Sequence, residues 1–144
     1  MHQTARVNTI LMERKWLEEN LTNNSHQFVI VLKENDEPIG NCGFVKLDTL
    51  NQVAEVGILI GDLKDHNKGY GTEALKLLID YGFNILNLHN IMLKVYSFNE
   101  KALFCYKKVG FKECGRQKEV YYLRNKRYDS ISMEILRPDY FDGN

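Results

Sequence analysis

The clearest pattern in the chain is a series of short apolar and β-branched runs separated by polar segments. Such runs are typical of strands that bury one or both faces in a sheet. Six segments have this pattern: 28–32, 39–45, 53–60, 91–96, 111–123 and 127–136. Turn-forming residues at 35–38 and at Asn125-Lys126 join the first two and the last two segments, so each of these pairs predicts a hairpin.

Apolar residues recur with the spacing of one helix face in two other parts of the chain. This spacing predicts one helix over residues 9–23 and another over residues 70–87. A third helix is expected between Asn99, which suits an N-terminal cap, and Gly110, a residue typical of the position after a helix. The predicted order, α-β-β-β-α-β-α-β-β, indicates an α/β (α+β) domain with a mixed sheet of about six strands flanked by helices.

Composition narrows the class of protein. Of the 144 residues, 44% are hydrophobic and 26% are charged, so we expect a single domain over residues 1–144. Nineteen basic and nineteen acidic residues cancel, which argues against nucleic acid or an anionic membrane as a partner. The sequence has no membrane-length apolar run and no signal peptide, and its three scattered cysteines lack metal-binding spacing. We therefore expect a cytoplasmic protein without a metal site.

The residues that carry chemistry begin with the glycine-rich run 66–75, which opens the predicted 70–87 helix. Gly69 and Gly71 let the backbone turn tightly and point successive N–H groups the same way. The helix behind them adds the positive end of its dipole. This arrangement predicts an anion site, most simply for a cofactor phosphate, and a plain connecting turn is the alternative.

Two common nucleotide motifs do not explain this run. The spacing Gly69-x-Gly71-x-x-Ala74 fits the dinucleotide fingerprint, but residues 61–68 separate it from the preceding strand. Continued strand–helix alternation, which a dinucleotide fold requires, is also missing beyond one more helix. Gly61 is not followed by the Gly-Lys-[Ser/Thr] of a P-loop. A phosphate cradle remains as the interpretation, without a dinucleotide fold.

In order along the chain, several segments resemble the GCN5-related N-acetyltransferase (GNAT) family, within it the branch of spermidine and ribosomal-protein N-acetyltransferases. These segments are residues 55–61, residues 68–75, Asn99-Glu100-Lys101-Ala102 leading to residues 106–111, and Tyr128-Asp129. The resemblance covers nearly the whole chain. It implies a GNAT-type sheet that splays between the strands 53–60 and 91–96.

The resemblance also sets an expectation for the sheet edge. Family members generally begin with a further strand and helix, and we expect this chain to lack them. The 28–32 strand would then have an open edge, which invites pairing with another chain. We therefore expect either a homodimer or an edge covered by residues 1–8.

The resemblance implies acetyl-coenzyme A as co-substrate and a primary amine as acceptor, with direct transfer between them. In the family, the pantetheine arm pairs with the strand before the loop, and the loop backbone holds the pyrophosphate. The matching residues, together with two on the third helix, are Ile58, Leu59, Ile60, His66, Asn67, Lys68, Gly69, Tyr70, Gly71, Thr72, Asn99 and Ala102. His66 stands where the family has Gln or Arg, so we expect the backbone rather than this side chain to carry the contact.

Two residues are predicted to be catalytic. Glu55, a carboxylate in an apolar strand, is the candidate base for the ammonium form of the acceptor, and a solvent-facing glutamate is the alternative. Tyr106 matches the family tyrosine that protonates the leaving thiolate, and aromatic packing is the alternative. Cys105 is not expected to be a nucleophile, because no partner histidine is identifiable and direct transfer needs none.

The acceptor stays open at this level. Polyamines, protein N-terminal amines, aminosugars and aminoglycosides all offer the same nucleophile, and loops set the choice among them. Glu13, Glu18 and Glu19 could bind a polyamine, although a solvated helix face is the simpler use. A non-catalytic acetyl-coenzyme A-binding module is the alternative to an enzyme, and the presence of both Glu55 and Tyr106 favours the enzyme.

Overall fold

The structure is a computed structural model that describes residues 10–14, 26–61 and 68–142. Within these residues, seven strands form one sheet in the order β1-β2-β3-β4-β5-β7-β6. In chain order the elements are β1 (Ile10–Arg14), β2 (His26–Leu32), β3 (Pro38–Asp48), β4 (Val53–Ile60), α1 (Tyr70–Asn84), β5 (Asn90–Tyr96), α2 (Glu100–Val109), β6 (Lys112–Leu123), β7 (Lys126–Leu136) and α3 (Arg137–Asp142). Antiparallel pairs build the sheet, except that β4 and β5 are parallel. The predicted mixed sheet with flanking helices is confirmed.

The hairpin of β6 and β7 lies within one residue of its predicted turn. β6 and β7 pair antiparallel, as predicted. Arg124 and Asn125 have positive φ values of 51° and 65°, so the turn lies one residue before the predicted Asn125-Lys126. Two consecutive left-handed residues match the twist of the flanking strands.

The prediction of a helix over residues 9–23 is wrong for residues 10–14, which form β1 and pair with β2. Ile10 is 1% exposed and lies opposite Leu32. The available edge of β2 decides the conformation here, because tertiary pairing outweighs a weak local propensity. The remainder of the predicted helix and residues 1–8 lie outside the described residues.

β1 also corrects two expectations about the sheet. Across the described residues the sheet has seven strands rather than about six. Residues 10–14 form a strand that we expected to be missing, and they pair with residues 28–32. The expectation of an open edge at residues 28–32 is therefore wrong, and the sheet edge no longer argues for a homodimer.

The predicted splay between β4 and β5 is confirmed. Their register pairs are Val53↔Asn90, Ala54↔Ile91 and Glu55↔Met92. Beyond Glu55 the two strands continue to Ile60 and Tyr96 without pairing with each other. An opening therefore forms between the C-terminal ends of two parallel strands, which is where ligands bind in many α/β sheets.

α1 closes the core and directs its N-terminus at this opening. Its buried side chains pack against the sheet, and they are Ala74, Leu75, Leu78, Ile79 and Phe83. The helix ends at Asn84, three residues before the predicted end, and Asn87 takes a left-handed φ of 59°. Arg137 then joins the last turn of α1 to the loop that follows it, donating from Nη1 to the carbonyl oxygens of Phe83 and Leu88 at 2.6 and 3.0 Å. No helix in the described part of the chain is long and apolar enough to cross a membrane.

Candidate active site

A cleft of about 700 Å³ lies beyond the last β4–β5 pair, between β4, the start of α1 and α2. Most of the predicted site residues line it: Ile58, Leu59, Ile60, Gly69, Tyr70, Gly71, Thr72, Asn99, Ala102 and Tyr106. Lys68 is exposed and adjoins the cleft in sequence without being part of its lining. His66 and Asn67 lie outside the described residues.

The start of α1 presents backbone donors to the cleft. Gly69 is the N-terminal cap with a left-handed φ of 81°, and no side chain caps the helix. The first intrahelical bond runs from the Glu73 N–H to the Gly69 oxygen at 3.0 Å. The preceding N–H groups of residues 70–72 therefore have no partner within the helix, and the helix dipole favours negative charge there.

The two glycines have different roles, which corrects the sequence interpretation. Gly69 has a positive φ, whereas Gly71 does not and is the second residue of α1. A Cβ built at either glycine would meet no atom within 4 Å among the residues that the structure describes. Both positions thus face open space in the cleft. A side chain would fill this space, and without one a phosphate can approach the backbone N–H groups.

α2 begins and ends at the predicted caps. The Asn99 Oδ1 atom accepts a hydrogen bond from the Ala102 N–H at 3.2 Å. Gly110 follows the helix with a φ of 126°, and its N–H donates to the carbonyl oxygens of Tyr106 and Lys107. These caps fix the residues at which α2 begins and ends.

Tyr106 combines burial with access to the cleft. Its ring is half-buried against the core and meets Phe111 edge-on, with centroids 6.3 Å apart. Burial raises the pKa of the Tyr106 phenol above its ordinary value, and the neighbouring Cys105 raises it further. The phenol therefore keeps its proton at neutral pH, as a general acid must.

Glu55 lies at the base of the opening, outside the cleft lining. It forms the last β4 pair with β5, opposite Met92. The side chain is 19% exposed, and its Oε1 lies 3.6 Å from Nζ of Lys46 on β3. The structure thus separates Glu55 from the other predicted site residues, and its role as a base stays a prediction.

Sequence reasoning did not assign four residues that line the cleft: Glu100, Lys101, Phe104 and Cys105. All four are on α2, where their approach to the cleft depends on how α2 packs against α1. One of them could have been noticed in the sequence. Phe104 is apolar, yet its helical spacing places it away from the face of α2 that carries Ala102 and Tyr106. In the described part of the chain, no group of three or more His, Cys, Asp or Glu could hold a metal ion.

Comparison with known proteins agrees with this geometry. The profile of the acetyltransferase (GNAT) domain matches residues 2–112. The N-acetyltransferase p20 of Bacillus licheniformis is 34% identical over 84% of this chain and 67% of its own length. Spermidine N(1)-acetyltransferase of Escherichia coli K12 is 33% identical over 76% of this chain, which spans 59% of that protein.

A solved structure supports the same assignment. The dodecameric spermidine N-acetyltransferase from Vibrio cholerae is similar with a TM-score of 0.79 and 28% identity. The similarity covers 88% of this chain and 73% of that one. The matched profile, the strand order and the cleft at the splay agree, and the chain belongs to the GNAT acetyltransferase family.

Proposed function

We propose that this protein transfers the acetyl group of acetyl-coenzyme A directly to a primary amine. The observation that carries the proposal is the cleft itself, which joins an uncapped helix N-terminus to a half-buried tyrosine. The first feature suits a phosphate and the second suits proton donation. The curated relative from Escherichia coli, named for spermidine, supports an amine as acceptor.

The residues present fit acetyl-coenzyme A. The N–H groups of residues 70–72 suit the pyrophosphate, and Gly69 and Gly71 leave room for it. Beyond Glu55, β4 is not paired with β5, and Ile58 and Leu59 line the cleft, which suits strand-like pairing with the amides of the pantetheine arm. Asn99 and Ala102 line the cleft at the start of α2 and complete the predicted binding residues.

When bound, the co-substrate supplies an activated acetyl thioester. Tyr106 donates its phenolic proton to the sulfur as the C–S bond breaks. Glu55 takes a proton from the ammonium form of the acceptor, directly or through a water molecule, and the amine lone pair that this frees then forms the C–N bond. Lys46 beside Glu55 holds the carboxylate at the base of the opening.

A polyamine is the first acceptor to test, and a protein N-terminal amine is the second. Glu13, one of the carboxylates considered for a polyamine, is exposed on β1 rather than on a helix. Glu18 and Glu19 lie outside the described residues. We also retain a homodimer and a cytoplasmic location as proposals. The Vibrio cholerae relative, which is a dodecamer, supports self-association.

The test is thioester consumption measured with spermidine, a peptide with a free N-terminus and a simple alkyl amine. The proposal expects free thiol to appear only when an amine is present, with the acetylated amine as product. Binding of coenzyme A without turnover on any amine would support the alternative, a non-catalytic binding module. Absence of coenzyme A binding would contradict both.

A further inference from the structure

Phe104 exposes an aromatic ring where the cleft meets solvent. The residue is 70% exposed and lines the same cleft as Gly69 and Tyr106. Its helix, α2, has no fully buried residue, so this ring adds little to the hydrophobic core. A large apolar surface retained beside a polar cradle is suited to a ligand that carries an apolar or aromatic group.

The position of Phe104 along the cleft follows from one contact. Oγ1 of Thr72 and Sγ of Cys105 lie 2.9 Å apart, so Cys105 lies at the first turn of α1. Successive residues of a helix are separated by about 100° around its axis. Phe104 and Tyr106 therefore flank Cys105 on opposite sides, Tyr106 toward the core and Phe104 toward solvent.

The sequence Tyr106, Cys105, Phe104 from core to solvent matches the sequence of groups along the proposed co-substrate, from thioester to adenosine. With the thioester at Tyr106 and the pyrophosphate at the N-terminus of α1, the adenosine end extends outward, past Cys105. We propose that Phe104 forms an aromatic subsite on which the adenine ring of coenzyme A stacks. The inference rests on the proposed function and deepens it.

A lysine one helical turn before Phe104 supports a nucleotide as the occupant. Lys101 lies three residues before Phe104, on the same side of α2, and also lines the cleft. An ammonium next to an aromatic face suits a purine that carries phosphate, because the ring takes the base and the charge takes the phosphate. Glu100 is the carboxylate in the cleft lining, at the first turn of α2.

Binding by calorimetry with two ligands tests the inference. Coenzyme A carries the adenine, and 4′-phosphopantetheine is the same arm without the nucleotide. We expect Phe104→Ala to weaken coenzyme A binding by roughly 5- to 100-fold and to change phosphopantetheine binding by less than about twofold. Phe104→Trp, which keeps an aromatic face, should retain coenzyme A affinity. Tyr122→Ala removes an aromatic residue that is 59% exposed outside this cleft and serves as the matched control.

The binding results distinguish failure of the adenine subsite from failure of the proposed function. If Phe104→Ala lost the same affinity for both ligands, the ring would contact the pantetheine arm or stabilise the folded protein rather than bind adenine. That result would overturn the inference. Unchanged coenzyme A binding would also overturn it. Wild-type protein that binds neither ligand would overturn the proposed function, and the inference with it.

Discussion

Thr72 and Cys105 join the two helices that form the cleft, with Oγ1 of the first 2.9 Å from Sγ of the second. Thr72 belongs to the first turn of α1, where the N–H groups face the cleft. Cys105 precedes Tyr106 on α2. The contact therefore links the proposed anion cradle to the proposed acid, and it gives Cys105 a packing and hydrogen-bonding role.

Replacing Cys105 by Ala should lower turnover by less than about tenfold, because a neutral hydrogen bond contributes about 0.5–1.5 kcal/mol net. Cys105→Ser, which keeps a polar partner for Thr72, should lose less. Steady-state kinetics measures both. A loss of about a thousandfold, together with an acetylated Cys105 found by mass spectrometry, would indicate an acyl-enzyme and contradict direct transfer.

Replacing Gly71 by Val should abolish measurable coenzyme A binding while the protein stays folded. The new side chain would enter the cleft, where a Cβ at this position meets no atom of the described part of the chain within 4 Å. Gly57→Ala is the matched control, since its Cβ would make an ordinary contact, 3.8 Å from Val45 Cγ1. His66→Ala should have much less effect than Gly71→Val, because the backbone carries the phosphate contact. Equal damage from both variants would refute the backbone cradle.

Tyr106→Phe should lower kcat by roughly 10- to 1000-fold with little change in coenzyme A affinity, because only the proton donor is lost. Burial raises the pKa of Tyr106, so its proton is lost only at a pH above the ordinary tyrosine value of about 10. Wild-type kcat should therefore show no decline caused by this group below that pH. A pH–rate profile of both proteins checks this, and a Tyr106→Phe enzyme with wild-type kcat would remove the residue from catalysis.

Glu55→Gln should reduce turnover most at low pH. Without the carboxylate, the reaction depends on amine that is already unprotonated, and that fraction falls as the pH falls below the amine pKa of about 10. The rate of the variant should rise steeply with pH and approach the wild-type rate near the amine pKa. An unchanged pH–rate profile would leave Glu55 a structural partner of Lys46.

Arg137→Ala should lower the free energy of unfolding by about 1–3 kcal/mol, because the carbonyl oxygens of Phe83, in the last turn of α1, and of Leu88, in the following loop, lose a charged donor. Urea denaturation measures the change. Arg127→Ala is the matched control. Arg127 and Arg137 each lie 5.2 Å from an aromatic ring centroid, but Arg127 is on the exposed closing hairpin. Equal losses in the two variants would show that the ring contact, rather than the carbonyl bonds, carries the effect.

Several features could be predicted from the sequence because their causes are local. The bounds of β4 at Val53 and Ile60 follow from an apolar run that only Glu55 interrupts with a charge. The ends of α2 follow from Asn99 and Gly110, whose capping depends on neighbouring backbone atoms. Gly69 takes the left-handed φ that glycine tolerates without strain.

Other features depended on groups distant in sequence, and the tertiary structure decided them. Ile10 lies in a strand because the edge of β2 is there to pair with it. Phe104 and Cys105 reach the cleft because α2 packs across the first turn of α1. Glu55 lies beside Lys46 rather than in the cleft lining, since the β3–β4 register and the end of the β4–β5 pairing place it there. The sequence by itself determined most of the local elements and the glycine-rich turn, and packing between elements decided which side chains share the cleft.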